Sequence, residues 1–190
     1  QENDSFKPAP YFKYVEKAFC RRADAVVVPV EGAREAYYSE FREKIHVIPQ
    51  GFCFGDYVHL KNIHPKKDGV VRFAYAGLFI PGRRDPAKFL KELVKRSDDF
   101  EFHVFTKNPV LVEPFVRQDS RIIVRDFIPR DQLMKELASM DFLLNIENVG
   151  ARQSPSKLID YWLCNRPVLN IKSNKVNAED VDQFFSGDYI

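Results

Sequence analysis

No apolar run in the sequence approaches 18 residues, so no segment of it can cross a membrane as a helix. No secretory signal pattern is visible. Cysteine is scarce. Cys20, Cys53 and Cys164 are scattered, odd in number and without CxxC spacing. They read as free thiols of a reducing compartment, which excludes a disulfide framework and a cysteine zinc site. The four histidines, His46, His59, His64 and His103, show no metal-ligand spacing, and His46 and His103 fall inside apolar stretches as structural residues. GxSxG, Walker A and GxGxxG patterns are all missing. An excess of one charge is missing too: 29 Lys and Arg against 27 Asp and Glu leave +2. With no basic run beyond Lys66-Lys67 and Arg83-Arg84, a dedicated nucleic-acid binder is excluded.

What is present is ordinary globular composition, 45% hydrophobic and 29% charged over 190 residues. That length suits one generous domain or one and a half. The chain opens on Gln1 and stops at Ile190 at an apparent strand start, so we expect a piece of a longer protein. Elements alternate along it. Helical spacing covers 10–22, then 25-AVVVP-29 reads as a short buried parallel strand. Residues 31–42 are expected to be helical, 45-IHVIPQG-51 a strand, and 52–69 a polar linker without period.

A second series starts at 70-VVRFAYAG-77. Strands follow at 101–105, 121–124, 141–146 and 167–171. Helices are expected at 86–96, near 110–118, at 130–140, from Ser154, and at 177–186. Strands separated by helices imply a parallel sheet with right-handed crossovers. The fold class is therefore α/β, a Rossmann-like doubly wound sheet of order 3-2-1-4-5, preceded by a partial βαβ unit. Domain boundaries are placed at 1–52 and 53–190. Ligands in such sheets sit beyond the carboxyl ends of the strands where the order reverses. That brings the loop after 70–76 to the loop after 141–146.

The first loop holds Gly77, Gly82, Arg83 and Arg84. The second holds Glu147, Asn148, Gly150, Arg152 and Gln153, then 154-SPSKLIDYW-162. Ser154 reads as an N-cap, with Pro155 at the first helical position and Lys157 in the first turn. A lysine there opposes the helix dipole by roughly 0.3–1 kcal/mol. Alone it is more often a solvated charge, and Lys157 and Asp160 could simply pair at i, i+3. Arginines plus free backbone N–H groups in two converging loops make a phosphate site the stronger reading. On a helical wheel Leu158, Ile159, Trp162 and Leu163 form the core side, while Lys157, Asp160, Tyr161 and Cys164 face the crevice. A carboxylate beside phosphate fits a ribose acceptor. Phe127 and Ile128 could flank a base or pack in the core, and Glu147 could touch a substrate or sit at a loop edge.

The order 23-ADAVVVPVEGAREAY-37, 44-KIHVIPQGF-52, 73-FAYAG-77 with Arg83 and Arg84 beyond, 126-DFIPRDQLMKELASMDFLLNI-146 and 154-SPSKLIDYWLCNRPVL-169 resembles a group 1 glycosyltransferase of the GT-B type. The resemblance spans nearly the whole chain, and PSKLxDYxxxxRPVL is its most specific part. It implies that residues 1–52 end an N-terminal domain and that 53–190 are the nucleotide-sugar-binding domain, truncated at its end. It implies a nucleotide-diphosphate sugar, such as a UDP- or GDP-sugar, as substrate, no cofactor, no metal, and transfer with retention to an unknown acceptor, a glycan or lipid-linked glycan of polysaccharide biosynthesis being the common setting.

By that resemblance the donor diphosphate is held by Gly77, Arg83, Arg84, Ser154, Ser156 and Lys157. Asp160 stands where the family's ribose-binding glutamate falls, and Phe127 and Ile128 flank the base. Many members carry a first glutamate eight residues earlier, and here that position is Arg152. Either Glu147 or Gln153 contacts the sugar instead, with Glu147 the one catalytic candidate, or this branch is divergent. A fragment of this kind is expected to bind donor without being a competent enzyme. A nucleotide-binding module without transfer, and a sugar-nucleotide epimerase of the same shape, are the alternatives. The thiols and the resemblance imply a cytoplasmic protein, peripheral at the membrane in its full-length form at most. A truncated first unit should leave apolar strands near 25–30 and 45–48 uncovered, inviting a homo-oligomer or docking on the second unit.

Overall fold

The computed structural model describes residues 9–49, 51, 54–147 and 157–189, which fall into two compact units on either side of residues 52–53. In the first unit α1 (Phe12–Arg22) leads to β1 (Val26–Val28), α2 (Glu31–Ala36) and β2 (Ile45–Val47). The two strands pair in parallel, Val26 opposite Ile45. Cys20, Val28, Ala33, Phe41 and Ile45 form a small core. Lys44 Nζ donates to the carbonyls of Arg21 (3.1 Å) and Ala23 (2.9 Å), so a cation meets the unpaired C-terminal carbonyls of α1.

The helix expected over 31–42 is broken. Tyr37 and Tyr38 are extended, and a 3-10 turn, Ser39–Lys44, follows. The break lets the Tyr38 hydroxyl reach Glu16 at 3.0 Å while its ring lies under the Lys17 ammonium. Val27 and Ile48 stand exposed. A broad groove of about 880 Å³ runs along α1 past Phe12, Val15 and Phe19. His46, expected as a structural residue, is exposed.

The second unit opens at Phe54, inside the stretch expected as a linker. The supposed linker contains a 3-10 run, Phe54–Asn62, whose Leu60 is fully buried. Arg166 clasps its end by donating to the Ile63 carbonyl at 2.8 Å. A 3-10 turn has no 3.6-residue period, so its one anchor leaves no amphipathic pattern.

Then come β3 (Val71–Ala76), α3 (Ala87–Leu93), β4 (Phe100–Phe105), α4 (Glu113–Val116), β5 (Ile122–Arg125), α5 (Arg130–Ala138), β6 (Phe142–Glu147), α6 (Lys157–Leu163), β7 (Val168–Lys172) and α7 (Ala178–Ser186). The sheet is parallel throughout, in the order β5-β4-β3-β6-β7. This is the doubly wound 3-2-1-4-5 arrangement. The central strands β4 and β6 are buried almost end to end, as strands covered on both faces must be. The edge strand β7 alternates buried and exposed positions.

Alternation splits the core. Phe73, Phe102 and Phe142 point to the α3 and α7 side, where Phe89 and Phe185 meet them. Phe73 lies between Phe102 and Phe142, with ring centroids 4.7 and 4.6 Å away, one aromatic rung across three strands. Such pairs contribute roughly 0.5–1.5 kcal/mol each beyond area burial. On β3 the opposite face carries the small Ala74 and Ala76. Met134, Leu137, Tyr161 and Cys164 are buried there, with Cys164 Sγ 3.5 Å from the Met134 carbonyl.

β3 and β6 are paired only at Phe73↔Phe142 and Ala74↔Leu143. Beyond that they part, and the Ala76 amide loses its strand partner on that side. The Tyr161 hydroxyl takes its place, accepting from Ala76 N at 2.9 Å. Tyr161 thus wedges the sheet open where the strand order reverses. Tyr161→Phe should leave a buried N–H unsatisfied and lower stability by about 1–3 kcal/mol in chemical denaturation. A change of only a few tenths would show that the hydroxyl does not hold the split.

Candidate functional site

Six of the residues picked out in the sequence line one cavity of about 340 Å³ at this split: Gly77, Phe127, Ile128, Lys157, Asp160 and Tyr161. Gly77 follows β3 directly at φ 142°, a conformation that L side chains rarely adopt. Its amide donates to the Phe105 carbonyl at 3.0 Å, and a Cβ there would come into ordinary contact with the Tyr75 hydroxyl at 3.4 Å. The glycine is therefore required by the turn of the backbone and not by lack of space. Phe127 is 71% exposed at the rim, with the Lys107 ammonium 4.3 Å from its ring centroid. One face of an aromatic ring is thus backed by a cation.

Lys157 is the site's most unusual group. Its Nζ is buried and has no hydrogen-bond partner among the described residues. It lies 4.2 Å from the Tyr75 ring centroid and 5.6 Å from that of Tyr161. The quadrupoles of two rings attract an ammonium, but they do not replace its hydration. Burial, with the Arg84 charge adding to it, pushes the ammonium down to about 7. Tyr75 stacks on Phe79 at 4.5 Å and donates to the Leu78 carbonyl at 3.0 Å, so the ring beneath the ammonium is fixed. Burial pushes the Tyr75 phenol up to about 12 and the Cys164 thiol up to about 12, so both stay neutral. Arg84 is the nearby cation that acts on both Lys157 and Tyr75.

Arg83 and Arg84 sit beside the cavity, not in its lining. Ile80 and Arg84 close a tight turn through Gly82 at φ 70°, with Arg84 N donating to Ile80 O at 2.9 Å. Ser173 fixes that turn by donating to the Arg83 carbonyl at 2.6 Å. Glu147 ends β6 opposite Lys172 and is not among the cavity residues. Ser154, Ser156, Gln153 and Arg152 lie outside the described residues. Asp160 does not pair with Lys157. Its Oδ1 accepts from Arg130, whose other nitrogen meets the Tyr57 hydroxyl.

The helical wheel needs correction. Trp162, expected in the core, is 68% exposed and packs edge-on against Phe54. Tyr161 lines the cavity as expected, though fully buried, whereas Cys164 is buried against Met134 and away from it. The side of α6 facing the sheet is the 157, 161, 164 stripe, itself a proper i, i+4, i+7 pattern. Of the more hydrophobic stripe only Leu163 is buried. Tyr75, Arg130 and Tyr57 were not singled out in the sequence. Only Arg130 had a local signal, a cation directly after 126-DFIP-129 at the carboxyl end of a strand. His103 is satisfied as expected, bonded to Glu101 (3.1 Å) and Arg125 (3.0 Å).

No family model and no curated protein matches the chain. Solved structures do. The chain is similar to a glycosyltransferase from Rickettsia africae at 13% identity, TM-score 0.67, over 99% of this chain and 61% of that one. It is similar to the lipopolysaccharide outer core galactosyltransferase WaaB in its apo form at 14% identity, TM-score 0.58, over 88% and 54%. It is also similar to Anabaena HepE in complex with UDP-glucose at 14% identity, TM-score 0.57, over 83% and 47%. It spans roughly half to three-fifths of these proteins' length. Identities this low speak to architecture alone, and on that ground the chain has the fold of the GT-B glycosyltransferases.

Proposed function

We propose that the cavity binds the nucleoside diphosphate of a nucleotide-sugar donor, and that the whole protein transfers the sugar to an acceptor with retention. The observation that carries this reading is the buried Lys157 ammonium, without a hydrogen-bond partner among the described residues. A cation in that state needs an anion, and a phosphate oxygen supplies one. Arg84 reinforces it from the Gly77–Asp85 loop, and the same pair would offset charge on the leaving diphosphate. The exposed Phe127 ring offers a stacking face for a base. The fold likeness to a structure holding UDP-glucose adds support. Transfer chemistry needs groups beyond this cavity, and Arg152 in place of the family's first glutamate supports a second reading, nucleotide binding without transfer.

A thermal-shift titration with UDP, GDP, ADP and pyrophosphate tests the binding. A ligand at 100 times its Kd stabilises by about 2.7 kcal/mol. One nucleoside diphosphate should do so in the wild type and fail in Lys157→Met. Equal shifts in both proteins would remove the lysine from the site, and no shift in either would defeat the reading.

The same substitution should stabilise the ligand-free protein. Lys157 protonates near pH 7 when folded and near 10.4 when unfolded, so the unfolded chain holds more protons between those values. The burden is full below pH 7 and fades as pH rises toward 10. Lys157→Met should therefore gain up to a few kcal/mol at pH 6 and clearly less at pH 9 by urea denaturation. A variant less stable than wild type at both pH values would contradict this.

A further inference from the structure

Asp160, Arg130 and Tyr57 come from three different elements: α6, the first residue of α5, and the 3-10 run Phe54–Asn62. One guanidinium nitrogen of Arg130 donates to Asp160 Oδ1 and another to the Tyr57 hydroxyl. Its plane also sits 5.0 Å from the Tyr57 ring centroid. The arginine is therefore held at two ends and against a ring face. Asp160 itself lines the cavity, and its Oδ2 has no partner among the described residues.

A half-exposed ion pair of this kind contributes little to stability. Its geometric consequence is larger. A carboxylate with one oxygen held by a single N–H of an anchored guanidinium keeps its other oxygen as an oriented acceptor. An aspartate is a methylene shorter than a glutamate, and the ion pair selects one of the staggered χ1 rotamers open to it on the helix.

We propose that Arg130 is a positioning residue: with Tyr57 it grips one oxygen of Asp160 and so directs the other to the ribose diol of the nucleoside diphosphate in the cavity. This rests on the phosphate reading of the cavity and adds to it a determinant of sugar recognition. A site built to accept a hydroxyl discriminates against the analogue that lacks it, because the acceptor is then left unpaired.

The test is calorimetric titration of UDP, GDP, their 2′,3′-dideoxy forms and pyrophosphate into wild type, Arg130→Met, Arg130→Lys, Tyr57→Phe and Asp160→Asn. Arg130→Met should weaken ribonucleotide binding about tenfold, the worth of one charge-assisted hydrogen bond. It should leave dideoxynucleotide and pyrophosphate binding as in wild type. Arg130→Lys should recover part of the loss, Tyr57→Phe should lose less, and Asp160→Asn should erase the preference for the ribose form. Ribonucleotide binding unchanged in Arg130→Met, or weakened for every probe alike, would overturn the positioning role. Wild type binding ribose and dideoxy forms equally would overturn the diol as target. Wild type silent toward every probe, pyrophosphate included, would overturn the phosphate reading and this inference together.

Discussion

One hydrogen bond organises the second unit: the Ala76 amide to the Tyr161 hydroxyl. Where β3 and β6 part, a strand amide would be left buried without an acceptor, and such a group is expensive. Tyr161 both satisfies it and keeps the strands apart. The small residues on that face of β3 make room for the ring, and Gly77 turns the chain away. The cavity at the split is thus a consequence of sheet topology joined to one side chain.

The same helix that supplies the wedge presents Lys157 one turn earlier. Its ammonium is placed over fixed aromatic rings and away from any acceptor among the described residues. Folding therefore carries a cost at this point, which a bound anion would remove. Stability and ligand affinity are set against each other at one atom, as is common where a binding site must be ready before its ligand arrives. Arg84 sharpens the contrast, since it adds positive charge to a place already short of negative charge.

Most of the sheet was legible in the sequence because buried parallel strands leave dense apolar runs. The strand order and the meeting of Gly77 with Lys157 and Asp160 followed from those runs and the rule of the switch point, whereas Phe127 and Ile128 were assigned to the cavity only by the family resemblance. What was not legible has identifiable causes. The 3-10 run Phe54–Asn62 has no helical period, so a structural segment carrying Tyr57 read as a linker. On α6 the crevice side was legible at Lys157, Asp160 and Tyr161, but Trp162 was misplaced because its hydrophobicity marked it for the core, while it stands exposed against Phe54. Arg130 could be seen only as a surface cation, since its partners lie far from it in sequence.

The central claim is that Lys157 is a buried cation awaiting an anion. NMR titration of the Lys157 side chain, labelled at its Cε and Nζ and assigned by comparison with Lys157→Met, measures this directly. Protonation near pH 7 in the free protein, moving upward when pyrophosphate is added, is the result the structure requires. Protonation near the ordinary lysine value of about 10.4, indifferent to pyrophosphate, would make Lys157 a solvated surface charge and contradict the site.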